Sequence, residues 1–169
     1  YESALSAYEQ TFAIDPQNET ALVQLDRLYS KFELWQPLGD LLKARLEHTF
    51  DGEARINLLR RMANLYEETL RQPEEAIQAY EQLREIDAGT RIYLDKLAIL
   101  YEQTEQDDLL VEILQSKATM LTDHGERLGT LKKLAQIQHE LVEDKAGAID
   151  TYRQILTIDQ NDELAVSAL

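Results

Sequence analysis

The chain has 169 residues, of which 17 are Lys or Arg and 32 are Asp or Glu, so its formal net charge is −15 at pH 7. A surface this acidic repels phosphate groups, which argues against nucleic-acid binding and electrostatic docking on anionic membranes. The chain has no cysteine, which excludes disulfides, thiolate metal sites and thiol catalysis and leaves the compartment open, with the cytoplasm favoured. No apolar run approaches the roughly 20 residues of a membrane span, so no membrane insertion is expected.

Glycine and proline are scarce, with 6 and 3 residues, which predicts few turns and an all-α chain. Apolar residues recur at the i, i+3, i+4 and i+7 positions of an amphipathic helix. Asn18 can cap one helix, and Pro73 suits the first turn of another. The predicted helices are, in chain order, 2–14, 19–32, 36–49, 53–70, 73–86, 90–104, 107–122, 126–142, 145–158 and 162–169.

The chain repeats itself with a long period, whose clearest recurring residues are the equally spaced tyrosines Tyr8, Tyr80 and Tyr152. We call the step from one of these tyrosines to the next the long period, and residues one such step apart counterparts. A shorter period is present as well, because the tripeptide at 65–67 recurs at 100–102. The basic unit is therefore about 35 residues long, and alternate units are more alike than neighbours. Short links between the helices predict antiparallel helical hairpins.

The residues of these hairpins resemble the tetratricopeptide repeat (TPR), a hairpin of about 34 residues. The residues that carry the resemblance are Leu59, Met62, Ala63 and Tyr66 on the first helix, Ala76, Ile77 and Tyr80 on the second, and Ile14–Asn18 at the turn between repeats. In alternate units the pattern is degenerate, with Leu38 and Leu42, and then Leu110 and Leu114, replacing the Ala and Tyr of the second helix. The first unit also carries Asp26 where the family has a small residue.

The resemblance implies a right-handed α-solenoid of about ten helices, with residues 1–169 forming a single domain. The expected boundaries are a half hairpin at 1–17, hairpins at 18–52, 53–88, 89–124 and 125–160, and a half hairpin at 161–169. Because Tyr1 would lie inside a second helix and Leu169 inside a first helix, we expect a fragment of a longer bacterial TPR protein. Apolar faces left open at the two ends could then stack on another copy of the chain.

No motif in the sequence predicts catalysis. The three histidines His48, His124 and His139 lie on different elements without metal-ligand spacing. A phosphate-binding loop, a calcium loop and a serine-nucleophile motif are missing as well. We therefore expect a chain that is not an enzyme and carries no catalytic, metal or cofactor site, although it could be the regulatory domain of an enzyme.

The resemblance instead implies a binding surface, since the first helices of TPR hairpins line a concave groove. The candidate groove residues are Arg27, Lys31, Asn57, Arg60, Asn64, Lys96, Ile99, Lys132, Lys133 and Gln136, and further positions on the same helices are Thr20, Val23, Glu68, Ile92, Asp95 and His139. Together they contain six cations and two acids, which favours an acidic peptide as the partner.

Arg60 and Asn64 also resemble part of the clamp by which some TPR proteins hold a peptide carboxylate. Lys96 and Gly129 stand where that clamp needs an Asn and a cation. The leading hypothesis is a non-catalytic protein–protein interaction scaffold that binds a peptide or partner protein in the groove. The alternative is a structural spacer or self-association module within a larger protein.

Overall fold

The computed structural model describes residues 2–169, and every regular element in that range is helical. The helices are α1 Glu2–Ile14, α2 Glu19–Lys31, α3 Trp35–Glu47, α4 Gly52–Asn64, α5 Pro73–Ile86, α6 Arg91–Gln103, α7 Asp107–Met120, α8 His124–Glu140, α9 Lys145–Ile158 and α10 Glu163–Ala168. A π-helical segment, Leu65–Leu70, continues α4. The all-α prediction is confirmed, and each predicted helix boundary lies within two residues of the observed one.

Short polar side chains begin five of these helices. Each accepts a hydrogen bond from the backbone N–H three residues later, which satisfies one of the donors left open at a helix start. These capping residues are Asn18, Asp51, Asp123, Asp144 and Asp162. Helix α5 begins in a different way, at Pro73, which has no backbone N–H to satisfy.

The turn inside each complete hairpin contains a non-glycine residue in the left-handed region. These residues are Glu33, Arg71, Glu105 and Glu143, with φ of 55° or 56°. After Glu33 and Glu105, a backbone N–H reaches back five residues, from Leu34 to Tyr29 and from Gln106 to Tyr101, at 2.9 Å in both cases. This bond closes the helix end as in a Schellman motif. No described glycine takes positive φ, so composition gives no signal for these turns.

The chain divides into two compact units, one up to Ala88 and the other from Gly89 onward. In the first unit α1 to α5 pack consecutively, and in the second α6 to α10 do the same. The long period relates α2–α5 to α6–α9. The unit boundary coincides with the predicted end of the hairpin 53–88, while the single domain over 1–169 stays a prediction.

Equivalent residues form the core of each unit. Leu25 and Leu59 are completely buried in the first unit, as are their counterparts Leu97 and Leu131 in the second. Tyr80 and Tyr152 are buried too, which confirms them as core residues, whereas Tyr8 is half-buried. The difference arises because α1 packs only against α2 among the described elements. The prediction made for Tyr1 falls outside the described residues.

Two other buried tyrosines differ in how their hydroxyls are satisfied. The pKa of both Tyr29 and Tyr66 is raised to about 12, and burial is the largest cause in each. The Tyr29 hydroxyl donates to Glu9 Oε1 at 3.1 Å, and this hydrogen bond is the second cause of its raised pKa. The Tyr66 hydroxyl has no hydrogen-bond partner among residues 2–169, and the carboxylates of Asp40 and Glu75 add to the effect of burial on its pKa.

We expect Tyr29→Phe and Tyr66→Phe to change the free energy of unfolding in opposite directions. Tyr66→Phe removes a hydroxyl that is buried without a partner among the described residues, so stability at pH 7 should rise by about 1 kcal/mol, while Tyr29→Phe should lower it by about 1 kcal/mol. Because each folded-state pKa is raised, the native chain should lose stability as the pH rises from 10 towards 12, and each variant should lose less. Urea denaturation at pH 7 and pH 11 measures both effects. Equal destabilisation by the two variants would contradict the assignment.

Candidate binding surface on the first helices

The predicted groove residues lie on the first helices of the hairpins, at positions open to solvent. We call this the first-helix surface, formed in the first unit by α2 and α4 and in the second unit by α6 and α8. Its exposed members are Arg27, Lys31, Asn57, Arg60, Asn64, Ile99 and Gln136, and its half-buried members are Lys96, Lys132 and Lys133. Each unit therefore presents its own part of the predicted set.

An ion pair that sequence reasoning missed joins the two first helices of the first unit. Arg61 on α4 donates from both terminal nitrogens to the two carboxylate oxygens of Asp26 on α2, at 2.5 Å each. The hydrogen bond with Asp26 raises the pKa of Arg61 further. Asp26 stands where other units carry a small residue, so Arg61 compensates a charge that would otherwise be poorly solvated.

In the second unit a different ion pair joins the two first helices. Lys133 is the counterpart of Arg61, but Ala98 replaces Asp26. The Lys133 ammonium therefore pairs one turn further along α6, with Glu102 at 2.7 Å. The sequence did contain a signal for these contacts, because each cation follows its acid by one repeat or slightly less. To use that signal, Asp26 has to be interpreted as the ion-pair partner of Arg61 and not only as a departure from the family's small residue.

Each unit contains a cleft of the same construction, with a volume of about 660 Å³ in the first unit and 560 Å³ in the second. Residues from two first helices and the second helix between them line both clefts. The lining positions that are counterparts are Glu19 and Arg91, Arg45 and Lys117, Ala54 and Glu126, Asn57 and Gly129, Leu58 and Thr130, and Arg61 and Lys133. We call them the first-unit cleft and the second-unit cleft.

No protein-family model matches the sequence, and no curated protein matches it. Solved structures do. MamA superposes with a TM-score of 0.50 and 13% identity, over 88% of this chain and 77% of MamA. YrrB, a TPR protein with an unusual peptide-binding site, superposes with a TM-score of 0.50 and 16% identity, over 99% of this chain and 82% of YrrB. A putative kinesin light chain of Podosopora anserina with nearly identical TPR-like repeats superposes with a TM-score of 0.50 and 20% identity, over 96% of this chain and 88% of that protein. This chain has a TPR fold.

These similarities confirm the predicted fold class, an all-α stack of TPR-type hairpins, and leave the predicted groove residues untested. Within the TPR hairpins the alternation of regular and degenerate second helices has a structural counterpart. The degenerate helices α3 and α7 bury leucines such as Leu42 and Leu114, while the regular helices α5 and α9 bury the alanine and tyrosine of the family pattern.

The charge of the first-helix surface is lower than the sequence count suggested. Arg60 lies 3.6 Å from Asp87, and Lys132 pairs with Asp162 at the start of α10. With the Lys133–Glu102 pair, three of the six counted cations have carboxylate partners that the count did not include. The surface therefore offers less positive potential to an acidic partner than its cations alone imply.

Lys132 has a structural contact as well as its predicted position on the surface. Its hydrogen bond to the buried Asp162 is the main cause that lowers the pKa of that carboxylate, followed by the Ala165 N–H. Since a lowered pKa favours the folded state above the ordinary pKa of an aspartate, this tie between α8 and α10 weakens as the solution becomes acidic.

Between residues 2 and 169, none of the helices is both long and apolar enough to cross a bilayer. Over the same residues, no group of three or more His, Asp or Glu side chains is arranged to hold a metal ion.

Proposed function

We propose that this TPR-like chain is a non-catalytic protein–protein interaction scaffold that binds a polypeptide on its first-helix surface. The observation that carries the proposal is the cleft that each unit builds from counterpart residues. Two similar clefts in one chain suit a partner that presents similar side chains to each unit. YrrB, which shares the fold, has a peptide-binding site, and this precedent supports a peptide ligand here.

The second-unit cleft combines the groups that a peptide needs. Ile99 lines it and remains 49% exposed, which leaves apolar surface for a partner side chain. Around it, Arg91 pairs with Glu126 at 2.9 Å and Lys117 with Asp95 at 2.6 Å. Exposed ion pairs contribute little to stability and can exchange partners, so the exposed Arg91–Glu126 pair can hydrogen-bond to a bound main chain.

A self-association module is the second candidate, and α10 supplies its evidence. Val166 and Leu169 are 58% and 56% exposed, whereas their counterparts on α6, Leu94 and Leu97, are 3% and 0% exposed. In α6 these positions pack within the hairpin. A second copy that packs on these apolar side chains would remove them from water, and sedimentation over a range of concentrations distinguishes this candidate from the first.

Site-specific photocrosslinking tests the scaffold proposal. A photoreactive amino acid at Asn57 or Ile99, in lysate of the source cells, should capture a discrete polypeptide, and the same residue at Leu109 on α7 should not. Ile99→Glu should reduce binding of that polypeptide by about 10-fold, because it places a charge on the apolar contact. Leu109→Glu, at another exposed apolar position, is the matched control. Capture that is no stronger from Asn57 and Ile99 than from Leu109 would overturn the proposal.

A further inference from the structure

A third cleft, of about 500 Å³, lies in the second unit at the hairpin turn between α6 and α7. Its floor is apolar, because Leu110 and Ile137 reach it from the core. At its edge Leu141, the residue after the end of α8, is 59% exposed. An apolar side chain entering from a partner would bury against this leucine. We call it the acidic cleft, for the charges described next.

Four carboxylates and one cation line the acidic cleft. Lys133 is that cation, and its charge is already used by Glu102 at 2.7 Å. The other acids are Glu105, Asp107 and Glu140, and none of them has an ion pair within the described residues. Glu140 accepts only an amide hydrogen bond, from Gln136 at 3.0 Å. Three like charges around an apolar floor repel one another, and a cationic ligand would relieve that repulsion.

The wall of the cleft that carries Glu105 is held in place before any ligand binds. Thr104 Oγ1 donates to the Leu100 carbonyl at 2.8 Å, and Gln106 Nε2 donates to Thr104 Oγ1 at 2.8 Å. The backbone N–H of Gln106 closes the turn on Tyr101. A ligand would therefore meet a formed cleft and lose little affinity to ordering the turn.

The first unit provides an internal comparison. The counterparts of the four acids in that unit are Ser30, Glu33, Trp35 and Glu68. Two carboxylates are thus replaced there, one by a hydroxyl and one by an indole, and Arg61 stands at the counterpart of Lys133. The charge of the acidic cleft is a property of the second unit and not a consequence of the repeat pattern.

We propose that the acidic cleft binds a basic segment of a partner protein, in which Lys or Arg side chains flank a Leu or Ile. The cations would pair with Glu105, Asp107 and Glu140, and the apolar side chain would cover Leu141. This inference rests on the proposed function, since it takes the ligand to be a polypeptide, and it reverses the charge that the sequence predicted for the partner.

The test titrates the full ¹⁵N-labelled chain with a short synthetic peptide in which lysines surround two leucines. Two companion peptides carry glutamate for lysine or serine for leucine. We expect the basic apolar peptide to bind, with the largest amide shifts around Glu105 and Leu141, and to bind about 10-fold more weakly at about 0.3 M salt than at about 0.05 M. Leu141→Gln should weaken the binding of this peptide and leave the binding of the serine peptide unchanged.

Charge-reversal variants separate the cleft from the general acidity of the chain. The double variant Glu105→Lys with Glu140→Lys should weaken the binding of the basic peptide by about 10-fold. The matched control, Glu33→Lys with Glu68→Lys, changes the same repeat positions in the first unit and gives the same net charge, and it should have little effect. Equal weakening by both double variants would show attraction to net charge alone and would overturn the inference. Displacement of the peptide by millimolar Ca²⁺ at constant ionic strength would overturn it too, by assigning the carboxylates to a metal ion.

Failure of this inference can be told apart from failure of the proposed function. If the basic peptide fails to bind while Asn57 and Ile99 still crosslink a polypeptide, the acidic cleft is not a binding site and the scaffold proposal stands. If neither the basic peptide nor any crosslinked polypeptide binds, both are overturned. Binding of the glutamate peptide in preference to the lysine peptide would overturn the charge assignment and support the acidic partner that the sequence predicted.

Discussion

Gly39→Ala is expected to lower the free energy of unfolding by about 1–2 kcal/mol, although alanine is the better helix former. Gly39 lies inside α3, and a methyl group on it would come within 2.7 Å of the Tyr66 hydroxyl and 3.1 Å of its ring carbon. Tyr66 is fully buried and cannot swing away, so the overpacking cost of about 1–3 kcal/mol exceeds the gain of about 0.5–1 kcal/mol in helix propensity.

Gly129→Ala is the matched control, because Gly129 also lies inside a helix, α8, but has no atom within 4 Å of the position of the new methyl. There only the propensity gain remains, and stability should rise by about 0.5–1 kcal/mol. Urea denaturation measures both changes. The single tryptophan, Trp35, lies on the same helix as Gly39, so its fluorescence reports on the first unit directly. A stabilised Gly39→Ala chain would show that Tyr66 moves freely, contrary to its packing.

The helices were predictable because their signals are local and repeated. Apolar spacing, the cap at Asn18, and Pro73 all act within a few residues, and the long period let each unit support the interpretation of the other. The π-helical segment Leu65–Leu70 was predicted as ordinary helix. Tyr66 in this segment packs against Gly39 of α3, a tertiary contact that no local pattern encodes.

The candidate surface was predictable only in part. Placing Asn57 and Ile99 at exposed positions needs the helical period alone. To predict the electrostatics of that surface, one must know which carboxylates reach it from other elements. Asp87 and Asp162 do so through tertiary packing. The left-handed turn residues, such as Glu105, were also beyond sequence reasoning, because the usual signal is glycine or asparagine and this chain uses glutamate.

The second large effect concerns a buried polar pair in the second unit. Thr151 Oγ1 lies 2.7 Å from Gln138 Oε1 and 2.9 Å from the Gly147 carbonyl, either of which can accept its single proton, and the Thr151 and Gln138 side chains are both buried. Thr151→Val keeps the shape of the side chain but leaves the amide oxygen without its partner, so the free energy of unfolding should fall by about 2 kcal/mol. Thr157→Val is the control, since that exposed hydroxyl bonds only to the Gln154 carbonyl, and its effect should stay within about 0.5 kcal/mol.

A double variant tests whether the cost lies in the stranded amide. Gln138→Leu with Thr151→Val removes both polar groups, and it should recover most of the stability that Thr151→Val alone loses.

The first unit has Tyr66 and Ala79 at the counterparts of Gln138 and Thr151. The Tyr66 ring fits only because Gly39 lies beside it, and the second unit has Val111 at the counterpart of Gly39. Transplanting tyrosine to position 138 alone should therefore overpack, so the three positions form one packing unit. Hydrogen exchange of α8 and α9 amides locates the loss, and a Thr151→Val chain as stable as the native one would contradict the pair's role.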